Sequence, residues 1–296
     1  MSEASFRSGF VNIFGPPNAG KSTLLNALLG ERLAITSPKV QTTRHRILGI
    51  MNEPGYQIIF SDTPGIIEPK YKLHQKMMLQ VKSALEDADV ALLIADITKD
   101  PAEFQPIVDG LRLKVPALLL LNKMDVIRTP VELEQRIAAY KALFPKLETF
   151  AVSALKGGTN QELVNRILSM LPEAPPYYPD DNLSDRPTRF FVAEIIRENI
   201  YGLFQDEIPY HAAVIIQSFE EKQHLDVIKA EIIVSRETQK MILLGKGGKG
   251  IKELGIRSRT KIEDFLQRKV HLELFVKVRP KWRDNEAYLR EYGYDS

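Results

Sequence analysis

The chain has 296 residues, 44% of them hydrophobic and 26% charged, with no cysteine and a formal net charge of +2. That length exceeds one typical domain, so two are expected, each able to bury a core without staples. Disulfides, cysteine-based zinc sites and thiol nucleophiles are excluded, and apolar runs such as 90–95 and 115–121 are too short to span a bilayer.

Residues 1–7 contain no apolar h-region, so no secretory signal is expected and the default location is the cytoplasm. From residue 10 to 171, short apolar runs alternate with amphipathic stretches. Strands are predicted at 10–14, 46–51, 56–61, 90–96, 117–121 and 149–152, and helices at 21–30, 74–86, 104–113, 130–142 and 160–171. This alternation predicts an α/β domain with a mainly parallel sheet. The turn signal Asn52-Glu53-Pro54-Gly55 predicts one antiparallel edge strand. Residues 172–188 hold five prolines and read as a stiff linker. A helix (189–203), two strands (212–218, 227–235), two helices (237–244, 249–268) and a strand (270–278) then predict a small α+β domain. The expected limits are 1–172, a linker at 173–188, a second domain at 189–280 and a tail at 281–296.

Charge is uneven along the second half. Residues 236–283 carry 14 Lys+Arg against 5 Asp+Glu, whereas 174–235 carry 5 against 11. A basic block of this kind fits a polyanion-binding surface or an ordinary solvated face.

Between the first strand and helix, Gly15-Pro16-Pro17-Asn18-Ala19-Gly20-Lys21-Ser22 fits G-x-x-x-x-G-K-[ST]. In such a loop backbone N–H groups cradle phosphate oxygens, aided by the helix dipole. Lys21 is expected to reach the β- and γ-phosphates and the Ser22 hydroxyl to bind Mg²⁺, with Thr23 beside them in the nucleotide set. Asp62-Thr63-Pro64-Gly65 ends the third strand, where the carboxylate can hold Mg²⁺ through a water and the Gly65 N–H can meet the γ-phosphate. Between them, Gln41-Thr42-Thr43-Arg44 offers a threonine to complete the Mg²⁺ shell when that phosphate is present, with Thr43 favoured over Thr42. Lys21, Thr43 and Gly65 are thus the expected catalytic groups.

Asn122-Lys123-Met124-Asp125 follows the fifth strand. The Asp125 carboxylate can accept from guanine N1–H and the exocyclic amine, and adenine offers neither donor. Asn122 is expected at the N7/O6 edge and the Lys123 stem against the ring. The Ala154 N–H within Ser153-Ala154-Leu155 is expected at guanine O6.

These five motifs make residues 10–171 resemble a Ras-like P-loop GTPase domain. Within that class the chain resembles the translation-factor-related group to which the Era family belongs. Two departures stand out. Ile66 occupies the position where Ras-type proteins place a water-orienting glutamine. Asn18 matches the asparagine that, in related K⁺-activated GTPases, helps to hold potassium beside the phosphates.

In the second domain, Gly245-Lys246-Gly247-Gly248 fits the GXXG turn between two helices, with Lys249 next to it. Glycines there admit a nucleic-acid backbone, lysines neutralise it, and Leu244 and Ile251 are expected to wall a groove for unstacked bases. Residues 189–278 resemble a type II KH domain. A GTPase domain, a Pro-rich linker and a type II KH domain together form the Era-family arrangement. The resemblance implies a GTP/GDP switch that binds single-stranded RNA at the 3′ end of 16S rRNA and acts in small ribosomal subunit assembly. It also implies a cytoplasmic location with peripheral inner-membrane association; Mg²⁺ is the expected cofactor and a monomer the expected state. A KH-like module that docks to protein or membrane is the alternative. Trp282 in the tail is expected to pack on the second domain rather than stack on a base.

Overall fold

A computed structural model describes residues 6–157 and 161–294. It divides into two compact units, residues 1–68 with 77–185, and residues 69–76 with 186–296.

In the first unit six strands, β1 (Arg7–Phe14), β2 (Ile47–Glu53), β3 (Tyr56–Asp62), β4 (Val90–Asp96), β5 (Ala117–Asn122) and β6 (Glu148–Ala151), form one sheet in the order β2-β3-β1-β4-β5-β6. Only β2 runs antiparallel, paired with β3 across the Asn52–Gly55 turn. The central strands read as continuous apolar runs because both faces are covered. Every side chain from Val90 to Ala95 is essentially inaccessible, and each such large apolar group contributes about 1.5–3 kcal/mol relative to exposure.

Helices α1 (Lys21–Leu29), α2 (Lys72–Glu86), α3 (Pro101–Leu111) and α4 (Pro130–Leu143) connect the strands, and α5 (Gln161–Met170) follows β6. The helix expected at 104–113 starts and ends earlier, because Asp100 caps it by accepting from the Ala102 N–H at 2.8 Å and Pro101 presets its first turn. Thr129 and Pro130 start α4 in the same way. Asn160, the expected start of α5, lies outside the described residues.

The proline-rich stretch is not a free tether. Up to Asp185 it groups with the first unit and lies along the β2–β3 hairpin. The Ile50 N–H donates to the Leu183 carbonyl at 3.0 Å, and the Ser184 hydroxyl donates to the Leu48 carbonyl. The fully buried Gln57 amide donates to the Tyr178 carbonyl at 2.8 Å and accepts from the Tyr177 and Tyr178 N–H groups. The unit boundary therefore falls between 185 and 186, inside the expected linker.

The second unit contains α6 (Thr188–Leu203), the one-turn helix α7 (Ile208–His211), strands β7 (Ala213–Glu221) and β8 (Asp226–Val234), helices α8 (Glu237–Leu244) and α9 (Lys249–Leu266), and β9 (Val270–Val278). Its sheet order is β7-β8-β9, with β7–β8 antiparallel and β8–β9 parallel. α6, α8 and α9 cover one face through Val192, Ile196, Ile200, Leu243, Leu254 and Ile262. α9 stops at Leu266, short of the expected 268, where Gln267 turns into the left-handed region. The expected α-β-β-α-α-β order is present with two additions, α7 and a C-terminal helix α10 (Glu286–Glu291) capped by Asn285. Trp282 is fully buried, donates to the His211 carbonyl at 2.9 Å, and stacks on Tyr294, so it packs within this unit.

Candidate functional site

The Gly15–Ser22 loop joins the end of β1 to α1, at the carboxyl ends of the parallel strands, where α/β sheets hold ligands. A cleft there is lined by Pro17, Asn18, Gly20, Lys21, Ser22 and Thr23 from the loop and helix, by residues of the 35–43 segment, and by Gly65 and Lys123. Gly20 has φ +100°, and a Cβ there would sit 2.2 Å from the Asn122 amide nitrogen, so a side chain is excluded twice over.

Lys21 is buried and folds back so that Nζ donates to the Gly15 and Pro16 carbonyls at 3.1 and 2.9 Å. Opposite it, Ser22 Oγ donates to Asp62 Oδ2 at 2.5 Å and lies 2.7 Å from Thr43 Oγ1, which donates to the same carboxylate oxygen at 3.2 Å. The structure thus separates the two threonines. Thr43 joins Ser22 and Asp62, while the Thr42 hydroxyl donates to the Lys39 carbonyl. Two hydroxyls and a carboxylate form a hard-oxygen set, and Asp62 Oδ1 is buried without a hydrogen bond. Those features fit Mg²⁺. Thr63 is turned away, its hydroxyl donating to the Ile13 carbonyl at 2.6 Å. Ile66 packs against the first unit's core and its N–H donates to the Gly15 carbonyl.

Burial dominates the electrostatics of this cluster. It pulls the Lys21 ammonium down to about 8 against the attraction of Asp62. It pushes the Asp62 carboxyl up to about 6, against hydrogen bonds from Ser22 and Thr43 and the Lys21 charge. Both charges are therefore held at a cost until a ligand offsets it. A folded lysine pKa below the unfolded value destabilises the fold fully below the lower value, and the cost vanishes above the higher one. In nucleotide-free protein Lys21→Met is accordingly expected to raise stability at pH 7 by on the order of 1–3 kcal/mol. That gain should shrink as pH rises from about 8 to 10.5. Urea unfolding at pH 7 and 10 measures it, and a variant less stable than wild type at pH 7 contradicts it.

Beside the phosphate loop, Asn122 is buried between two loops. Its Nδ2 donates to the Ala19 carbonyl at 2.8 Å, and its Oδ1 accepts from the Ala154 N–H at 2.9 Å. Asn122 and the Ala154 N–H are the two groups expected at the purine edge. They are bonded to each other and tie the phosphate loop to the 153–155 loop. The Ser153 hydroxyl donates to Asp125 Oδ1 at 2.5 Å and fixes that carboxylate, while Leu155 is exposed. Lys123 Nζ donates to Asp96 Oδ2 at 2.6 Å. Burial works to raise the Asp96 carboxyl, but the bonds from Lys123 and Thr98 hold it below its ordinary value. Asp96 went unread in the sequence, although an acidic residue closing a buried strand was a visible signal. The cleft residues Ile35, Thr36, Ser37 and Pro38 were missed too, because their stretch lacks periodicity.

In the second unit the Gly245–Gly248 turn joins α8 to α9, with Lys246 and Lys249 exposed. Leu244 is half-buried, and Ile251 packs partly against the core. Met241 and Ile242, not anticipated as site residues, are exposed on α8 just before the turn.

A family described as a 50S ribosome-binding GTPase matches residues 10–123, and a KH-domain family matches residues 207–283. The GTPase Era of Geotalea uraniireducens is 47% identical over 298 residues, covering all of both chains. The chain belongs to the Era family of GTPases. A chloroplastic Era GTPase of Zea mays is 45% identical over 98% of this chain and 71% of its own length. A solved structure of Era in complex with MgGDPNP and nucleotides 1506–1542 of 16S ribosomal RNA is 42% identical. It covers 98% of this chain and all of its own, with a TM-score of 0.94. As an Era-family member the protein joins a P-loop GTPase domain to a KH domain.

Proposed function

We propose that this GTPase is a switch that binds single-stranded RNA at the 3′ end of 16S rRNA and acts in small ribosomal subunit assembly. The observation that carries the switch is the meeting of Ser22, Thr43 and Asp62 from three separate segments. Support for the RNA comes from the related Era structure holding that rRNA segment and from the basic GXXG turn. In this reading residues 1–172 carry the nucleotide site and 189–280 the RNA-binding surface.

The loop N–H groups and Lys21 hold the β- and γ-phosphates. Ser22, Thr43 and Asp62 would hold Mg²⁺, which would supply positive charge at those phosphates. Contacts from Thr43 and the Gly65 N–H to the bound nucleotide would depend on the γ-phosphate, so hydrolysis would remove them. Asp125 selects guanine. The Ile66 side chain packs into the core, so the attacking water is ordered by other groups.

Asn18 adds a potassium site. Its Nδ2 donates to the Pro38 carbonyl at 2.7 Å, linking the phosphate loop to the segment that carries Thr43. K⁺ held by Asn18 would add positive charge beside the phosphates, where an arginine finger acts in other GTPases. Hydrolysis is expected to run at least roughly tenfold faster in K⁺ than in Na⁺ at equal ionic strength. Equal rates reject the site.

The family resemblance also supports a cytoplasmic location with peripheral contact to the inner membrane, and the expected state is a monomer. No helix among the described residues is long and apolar enough to cross one. The switch itself is tested by titrating a 3′-terminal 16S rRNA oligonucleotide with the protein loaded with a GTP analogue or with GDP. Tighter binding in the analogue state is expected, and equal affinities reject nucleotide control of RNA binding.

A further inference from the structure

We propose that Asp96 is a positioning residue for guanine recognition, holding the Lys123 ammonium so that the lysine's aliphatic stem forms one wall of the base pocket. The proposal rests on reading the cleft as a guanine-nucleotide site.

The sheet register brings the pair together. β4 and β5 run parallel with Asp96 opposite Asn122, so the chain leaving β5 emerges beside Asp96. Lys123 then takes φ +68°, in the left-handed region that side-chain-bearing residues rarely enter. That turn sends its side chain back across the end of β4, where Nζ meets Asp96 Oδ2 at 2.6 Å. The carboxylate is itself immobilised. Its other oxygen accepts from the Thr98 N–H at 3.0 Å and from the Thr98 hydroxyl at 2.7 Å. The backbone beneath it is fixed as well, because the Ile97 N–H donates to the Asn122 carbonyl and the Tyr140 hydroxyl donates to the Asp96 carbonyl at 3.1 Å.

These bonds distinguish the pair from an ordinary surface ion pair. A free lysine samples many rotamers, and ordering it on a base would offset much of the contact. Here the ammonium is anchored by a carboxylate only 14% exposed, and Lys123 lines the cleft. The ordering cost is met on folding rather than on binding, so a flat purine finds its wall already formed.

Asp96→Asn isolates the ion pair, because asparagine keeps an oxygen for both Thr98 bonds but has no charge for Lys123. Its dissociation constants for GDP and GTP, measured on nucleotide-stripped full-length protein, are expected to rise together by roughly tenfold, the scale of one charge-assisted contact. The loss should fall on KM rather than kcat. In a Lys123→Met background the same substitution should change affinity by less than about twofold, since the group it positions is gone. Equal losses in both backgrounds, or a lowered unfolding midpoint with unchanged affinity, overturn the proposal and make the pair a brace for the β4 and β5 ends. Wild-type protein that fails to prefer GDP over ADP overturns the guanine reading itself. Wild type that prefers GDP beside an unaffected Asp96→Asn overturns this proposal alone.

Discussion

Asp125→Asn is expected to lower GTP affinity by roughly 10³-fold or more and to make xanthosine triphosphate the preferred nucleotide, because a site built for specific hydrogen bonds rejects a base that leaves them unpaired. Guanine presents N1–H and an exocyclic amine, and the carboxylate accepts from both. An asparagine places a donor against that amine and pairs instead with the C2 carbonyl of xanthine. The structure makes this exchange a clean one. The Ser153 hydroxyl holds Asp125 Oδ1 at 2.5 Å, and an asparagine oxygen can accept the same bond, so the side chain stays in place. Equilibrium binding of guanine and xanthine nucleotides measures the exchange. Retained guanine preference would mean that Asp125 does not read the base.

The second large effect belongs to the GXXG turn. Gly247→Asp combined with Gly248→Asp is expected to weaken binding of a 3′-terminal rRNA oligonucleotide by on the order of 10²-fold at moderate salt. Nucleotide affinity should stay unchanged. Both glycines have positive φ, +62° and +77°, a region that aspartate tolerates better than most residues, and nothing lies within 4 Å of the added Cβ atoms. The backbone strain of about 1–2 kcal/mol per residue is small enough for the fold to survive, and the larger change is one of charge. Two carboxylates beside Lys246 and Lys249 repel the phosphates that those lysines attract. Unchanged RNA binding favours the alternative in which this domain docks to protein or membrane.

The reach of the sequence differed between the two levels of structure. Strand positions were legible because buried parallel strands leave continuous apolar runs, as at 90–96, which the structure reproduces residue for residue as Val90–Asp96. Helix starts were less so. Asp100-Pro101 and Thr129-Pro130 have the same chemistry, yet the expected helix begins at the proline only in the second case. In the site, Ser22, Thr43 and Asp62 stood out because their motifs recur in a fixed order. The tie from Asn122 to both Ala19 and Ala154 was not visible, since it joins residues 103 and 32 positions apart. The same is true of Gln57, whose amide meets backbone 120 and 121 residues away. Local pattern records which side faces the core, but not which loop a buried amide will bridge.

The lie of residues 177–184 along the β2–β3 hairpin has a consequence for handling the protein. β2 is the outer strand of its sheet, and the Ile50 N–H would otherwise face outward as a template for another chain's backbone. Exposed strand edges of that kind seed edge-to-edge aggregation. Leu183 and Ser184 occupy those outward groups, so the stretch between the domains also acts as a gatekeeper against self-association. A GTPase fragment cut at residue 172 should consequently precipitate more readily than one extended to 185, even though both retain every residue of the nucleotide site.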